Sequence, residues 1–312
     1  MDTPDTDAVL RIADLSVCYS NGAQAVRSVS LELAPGECLA LVGESGCGKT
    51  TVAHAILGLL PRRTTVAGSI VVGGVEVVGA SRRTIRRLRG HTIGYVGQDP
   101  YAACDPLRSV RHHVEEGWTA VRATPPTGAA IERLEALGID QAGHRAQARP
   151  NQWSGGMLQR ATIAAATVHR PALTVADEPT SALDADRSDG VLQILREATD
   201  GLLLVSHDLS LVGRHADRIA VMYHGRIVEA GPASEVLSRA RHPYTRALVA
   251  ASPRPGHGLP EELEGAPPSL LATVPGCSFR ARCHCAGAGC EDQLPVLRDG
   301  VACHHPLEVV GP

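Results

Sequence analysis

The sequence predicts an α/β fold, and three observations predict it. Residues 38–42 (Cys-Leu-Ala-Leu-Val) read as a buried strand entering a glycine-rich loop, and residues 49–60 read as a helix leaving it, stopped by Pro61. Two later apolar runs, 173–177 and 202–205, read as strands that end in polar and acidic residues. Residues 9–34 alternate apolar and polar positions, the pattern of an antiparallel sheet near the N-terminus.

A chain of 312 residues has room for one large domain and a smaller one. Hydrophobic residues make up 44% and aromatic residues only 3%, so the core is aliphatic. A net charge of −3 gives no argument for nucleic acid as a partner. No apolar run approaches the length of a membrane span, and residues 1–10 lack a signal-peptide pattern. The expectation is a soluble, cytosolic protein unless something else holds it at a membrane, with its nine cysteines reduced.

The loop that joins strand to helix is Gly43-Glu44-Ser45-Gly46-Cys47-Gly48-Lys49-Thr50, followed by Thr51. Its spacing, G-x-x-x-x-G-K-[ST], is that of a phosphate-binding loop. Glycines let backbone N–H groups turn inward as a nest for anionic oxygens, and the helix N-terminus adds partial positive charge. Lys49 would bridge the β- and γ-phosphates, and the Thr50 hydroxyl would hold Mg²⁺. Lys49 is also the chain's only lysine among 30 basic Lys and Arg residues. A compact ammonium fits among phosphate oxygens where a planar guanidinium fork is too bulky.

Other candidates follow in chain order. Tyr19, at the first turn of the N-terminal sheet, reads equally as a ring stacked on adenine and as a half-buried strand tyrosine. Ser69–Val72 and Val75–Val78, joined by Gly73-Gly74, read as a hairpin. The arginine-rich stretch 82–89 reads as a solvated helix face, with a surface near anionic lipid headgroups as the sharper alternative. Residues 93–100 run from strand to turn and leave Gln98 at the edge, positioned for Mg²⁺ or the attacking water. Residues 105–150 read as a helical insertion between core strands.

Ser154-Gly155-Gly156 opens an alanine-rich helix and reads as a second anion site, or as an ordinary serine-capped helix start. The strand at 173–177 ends in Asp177, placed for Mg²⁺, and Glu178, placed to take a proton from the water attacking the γ-phosphate. His207 follows the strand 202–205, where it would contact the γ-phosphate or orient water. Two more strands, 218–223 and 226–229, turn at His224-Gly225.

Taken in order, the phosphate loop, Gln98, Ser154–Gly156, Asp177-Glu178, Ser181 to Asp184 and His207 resemble the nucleotide-binding subunit of ABC transporters over residues 8–240. Within that family the stretches 89–100 and 242–248 and the cysteine tail look most like the ATPases of peptide and nickel importers. The resemblance implies a cassette with a mostly parallel core sheet, an N-terminal antiparallel β-subdomain and a helical subdomain at about 100–165. Residues 1–240 would form this cassette and 241–312 a small cysteine-rich extension.

The same resemblance assigns roles. Tyr19 would stack on adenine, residues 43–50 would hold ATP, and Gln98 would link Mg²⁺ to the membrane subunits. Glu178 would be the catalytic base, His207 would hold the γ-phosphate, and Asp184 would bridge two cassettes. Ser154, Gly155 and Gly156 would contact nucleotide bound on the partner cassette. Implied partners are a second ATPase subunit, two transmembrane permeases and, indirectly, an extracytoplasmic substrate-binding protein. That places the chain peripherally at the cytoplasmic face of the membrane. Trp153 stands where the family commonly has leucine, Met157 where it has glutamine, Gly97 where it has a bulky apolar residue, and Cys47 where it has serine.

The tail carries Cys277, Cys283, Cys290 and Cys303 at the spacing C-x₅-C-x₆-C-x₁₂-C, with Cys285 as an extra thiol. Four thiolates suit a [4Fe–4S] cluster, and the resemblance adds weight to it. Zinc held by three cysteines with His284, His304 or His305 is the alternative, although zinc ribbons usually show tighter pairs. For the whole chain the competing reading is an ATPase of a soluble complex that acts on DNA, ribosomes or phosphonate. One cassette, with 105 positions and no heptad repeat between Lys49 and Ser154, argues against chromosome-structuring and tandem-cassette translation ATPases.

Overall fold

The computed structural model describes residues 8–181, 185–252 and 263–308. The first elements in chain order are β1 (Leu10–Cys18), β2 (Gln24–Leu33), β3 (Cys38–Val42), α1 (Lys49–Ile56), β4 (Thr65–Val72) and β5 (Val75–Glu76). Next come α2 (Arg82–His91), β6 (Ile93–Val96), α3 (Val110–Thr119), α4 (Ala129–Ala136), α5 (Ala142–Arg145), α6 (Gly155–Ala166) and β7 (Leu173–Asp177). The chain continues through α7 (Ala185–Glu197), β8 (Leu202–Val205), α8 (Leu209–His215), β9 (Arg218–Tyr223), β10 (Arg226–Pro232), α9 (Ala233–Ser238) and α10 (Pro243–Ala250). The expected α/β class holds, with parallel pairing in the core and an N-terminal antiparallel element.

Two compact units divide the chain. One comprises Met1–Leu10, Leu33–Glu37 and Val71–Leu204. Its strands β6 and β7 pair in parallel, Ile93 opposite Leu173 and Val96 opposite Ala176. All five residues of β7 and all four of β8 are buried, which is why both read as continuous apolar runs. Helices α3 to α6 lie between β6 and β7 in the chain, so the helical insertion is where the sequence puts it. The hairpin at Gly73-Gly74 also forms, Val72 opposite Val75, with both glycines at positive φ.

The other unit comprises Arg11–Glu32, Cys38–Ile70 and Val205–Pro312. Here β3 pairs in parallel with β9, and β10 pairs antiparallel with β9 through the turn at His224-Gly225. Strand β3 is buried at every position. Helix α1 ends at Ile56, four residues before the expected end at 60. Gly58, at φ +61°, turns the chain out of the helix before Pro61 has any part in it. Among the described residues no helix is long and apolar enough to cross a membrane.

Candidate functional site

The loop 43–50 follows β3 directly, and its glycines are obligatory. Gly43, Gly46 and Gly48 have φ of +149°, +78° and +113°. A Cβ on Gly43 would collide with the Met222 carbonyl, and one on Gly48 with the Ala25 carbonyl. Gly48 precedes the first turn of α1 without a side-chain cap, so the helix begins on backbone amides. Lys49 is 7% exposed, and its ammonium donates to the Gly43 carbonyl at 2.7 Å and the Glu44 carbonyl at 3.0 Å. Ser45, Gly46 and Thr50 are exposed along the loop. Cys47 is buried; burial pushes its thiol up, against the opposing pull of Lys49.

Tyr19 lies just past β1, half-buried, and its hydroxyl shares a hydrogen bond of 3.0 Å with the Thr51 hydroxyl on α1. His207 is exposed in the turn after β8. That turn is fixed by Ser206, whose N–H donates to the Leu41 carbonyl on β3 and whose hydroxyl accepts from the Asp208 N–H. Tyr19, the phosphate loop and His207 therefore belong to one unit.

Gln98, Ser154–Gly156, Asp177 and Glu178 belong to the other unit. Asp177 closes β7 and is 5% exposed. Burial, with the Asp177 charge as a second cause, raises the Tyr95 phenol. Glu178 takes the left-handed conformation at φ +52°, uncommon for a residue with a side chain. Ser181 joins the two motifs: its N–H donates to the Glu178 carbonyl at 3.2 Å and its hydroxyl to the Gln98 carbonyl at 3.3 Å. Asp184 lies outside the described residues.

The unusual residues have local explanations. A Cβ on Gly97 would meet the Tyr95 hydroxyl at 3.3 Å, so the tyrosine takes the space that a larger side chain would need. Trp153 is 4% exposed, and its indole N–H donates to the Arg145 carbonyl at 3.1 Å. Its ring is thus spent inside the helical insertion. Ser154 caps α6 by accepting from the Met157 N–H at 3.3 Å.

This geometry has known counterparts. The ABC transporter family matches residues 26–181, half of the chain, with the phosphate loop inside the match. The chain belongs to the ABC transporter family. A second match, to the oligopeptide/dipeptide transporter C-terminal region, covers residues 228–290. The oligopeptide transport ATP-binding protein OppD of Mycobacterium bovis is 38% identical over 95% of this chain and 51% of its own length. The chain thus spans about half the length of that relative. The dipeptide transport ATP-binding protein DppD of Bacillus subtilis is 37% identical over 89% of this chain and 87% of its own. Among solved structures, cbiO1 of Clostridium perfringens, part of the ABC transporter complex cbiONQ, superposes with a TM-score of 0.64. It is 28% identical over 74% of this chain and 91% of that one.

The cysteine stretch of this ABC protein does not bear out the iron–sulfur expectation. Cys277, Cys283 and Cys303 all have raised thiol pKa values, Cys283 to about 11, with burial the main cause and neighbouring thiols a lesser one. The thiols are thus near enough to repel one another as thiolates. Yet among the described residues no group of three or more His, Cys, Asp or Glu is arranged to hold a metal ion. The Nε2 atoms of His304 and His305, two of the histidines in the zinc alternative, are hydrogen-bonded to the carbonyls of Gln293 and Ala288.

Sequence reading missed two residues that touch the phosphate loop. The Tyr244 hydroxyl accepts from the Glu44 N–H at 2.9 Å. The Arg282 guanidinium makes a two-pronged contact with the Glu44 carboxylate, at 2.7 and 3.0 Å. They lie 200 and 238 positions from Glu44, and nothing in the loop's own spacing points to them.

Proposed function

We propose that this chain is the ATP-hydrolysing subunit of an ABC importer that takes up peptides, with nickel-type chelates as the other cargo class. The observation that carries the proposal is the loop 43–50, with its left-handed glycines and enclosed lysine. It occurs in a chain whose later part matches the oligopeptide/dipeptide transporter C-terminal region. That second match also favours import over the soluble-complex alternative.

Residues 1–240 act as the cassette and 241–312 as its extension. Loop amides and Lys49 bind the β- and γ-phosphates, and Tyr19 receives adenine. The Mg²⁺ donors are all oxygen (the Thr50 hydroxyl, the Gln98 amide and the Asp177 carboxylate), which suits that hard cation. When bound, Mg²⁺ neutralises charge on the phosphates. Glu178 accepts a proton from the attacking water as its oxygen bonds to the γ-phosphorus, the bond to the β-phosphate oxygen breaks, and ADP and phosphate leave. His207 holds the γ-phosphate. Ser154, Gly155 and Gly156 serve the nucleotide of a second cassette, and Asp184 meets that cassette. Two permeases hold the chain at the cytoplasmic face of the membrane, with a substrate-binding protein delivering cargo.

Iron–sulfur ligation by Cys277, Cys283, Cys290 and Cys303 is supported only by the neighbouring-thiol repulsion that adds to burial in raising the Cys277, Cys283 and Cys303 thiols. Anaerobic protein lacking iron and sulfide would remove it.

The test is co-purification from native membranes followed by turnover. Two polytopic proteins are expected in the complex. Glu178→Gln is expected to bind MgATP normally and to slow hydrolysis about 10²- to 10⁴-fold, the usual contribution of a general base. Recovery with ribosomes or a soluble lyase, or normal turnover by the variant, would contradict the assignment.

A further inference from the structure

The extension holds the phosphate-binding loop at its first variable residue. The Arg282 side chain is 5% exposed and spends every guanidinium N–H. Its Nε donates to the Glu264 carbonyl at 2.8 Å, and Nη1 donates to Glu44 Oε2 at 2.7 Å and the Tyr223 hydroxyl at 3.4 Å. Nη2 donates to Glu44 Oε1 at 3.0 Å and the Leu263 carbonyl at 3.2 Å. Glu44 is the only anionic group among these partners, and its contact shifts the guanidinium further toward its charged form. With all five donors committed, the side chain has none left for a ligand. It acts as a clamp.

A second contact acts on the same residue. The Tyr244 hydroxyl takes the Glu44 N–H at 2.9 Å, and Tyr244 is fully buried. Its ring packs 4.5 Å from that of Tyr223 and 5.4 Å from that of Phe279, centre to centre. The chain's only phenylalanine and two of its five tyrosines are gathered here. In a chain so poor in aromatics, that packing fixes the clamp rigidly. Glu44 in turn presents its carbonyl to the Lys49 ammonium at 3.0 Å.

We propose that Arg282 and Tyr244 are positioning residues for ATP. By fixing Glu44 at its carboxylate and its amide, they set the carbonyl that holds Lys49, so the extension governs the affinity of the phosphate loop. This rests on residues 43–50 being the nucleotide site.

The experiment is equilibrium titration of the full chain with a fluorescent MgATP analogue, with thermal unfolding followed in parallel. Arg282→Gln is expected to raise Kd about tenfold at an unchanged binding stoichiometry. Arg282→Lys, which keeps the charge but not the fork, recovers part of the loss. Glu44→Gln weakens binding similarly, and the Arg282→Gln/Glu44→Gln double variant is no weaker than the worse single one. Tyr244→Phe removes one hydroxyl and raises Kd about threefold.

Unchanged affinity in Arg282→Gln, or single losses that multiply in the double variant, overturns the proposal. A loss of bound stoichiometry without a change in Kd also overturns it, because that marks misfolding alone. If Arg282→Gln does not fold, Arg282→Lys and Tyr244→Phe decide, and parental affinity in both sinks the idea. Lys49→Ala tests the underlying site separately: if it binds as the parent does, the nucleotide assignment fails rather than the clamp.

Discussion

Gly48 shows how much one position constrains. Its φ of +113° and the Ala25 carbonyl beside it leave no room for a Cβ. Gly48→Ala is expected to lower stability by about 1–3 kcal/mol, the usual range for a strained backbone, and to weaken MgATP binding, both read by thermal unfolding with and without nucleotide. Tyr19 poses a narrower question, because its hydroxyl already has a partner in Thr51. Tyr19→Phe removes that bond, at about 1 kcal/mol, and keeps the ring. If the ring stacks on adenine, Tyr19→Phe retains ATP affinity and Tyr19→Ala loses it. Equal affinity in both variants would leave only the structural role. The glycines and Lys49 were legible because local spacing demands them. The Thr51 bond was not, since it joins residues 32 apart through a fold that the sequence does not display.

Helix ends carry the next set of effects. His242 caps α10 through its ring: Nδ1 accepts from the Tyr244 N–H at 3.0 Å, which requires that nitrogen to be unprotonated. Burial pushes this histidine down to about 4. An unfolded histidine takes up its proton near 6.5, so between those values the unfolded chain binds more protons. Stability is therefore full above the upper value and is lost as pH falls toward the lower one, by about 3 kcal/mol when complete. Unfolding midpoints measured across this window should fall more steeply in the parent than in His242→Asn, which caps without titrating. Parallel pH profiles would contradict this. The same stretch, 242–248, was legible as a family feature, whereas its capping chemistry was not. Helix α1 was misjudged at its end because Pro61 is the louder signal, while Gly58 makes the turn. Trp153 looked out of place in the sequence because only the fold shows the Arg145 carbonyl that receives its N–H.

Across the whole chain, the order of motifs announces an ABC cassette, and the α/β class, the helical insertion and the two family matches agree with it. Cysteine spacing suggested a ligand set, and among the described residues no group of three or more His, Cys, Asp or Glu is arranged to support it. The clamp on Glu44 gave no local signal, because Arg282 is one arginine among many until the chain folds. The central claim is that a triphosphate is held by the loop carrying the chain's single lysine. Its most direct test is the MgATP dissociation constant of the parent and of Lys49→Ala, measured by equilibrium binding on folded protein. The account predicts a loss of about tenfold to a hundredfold, the worth of one charge-assisted contact. Equal affinity in the two proteins would contradict it.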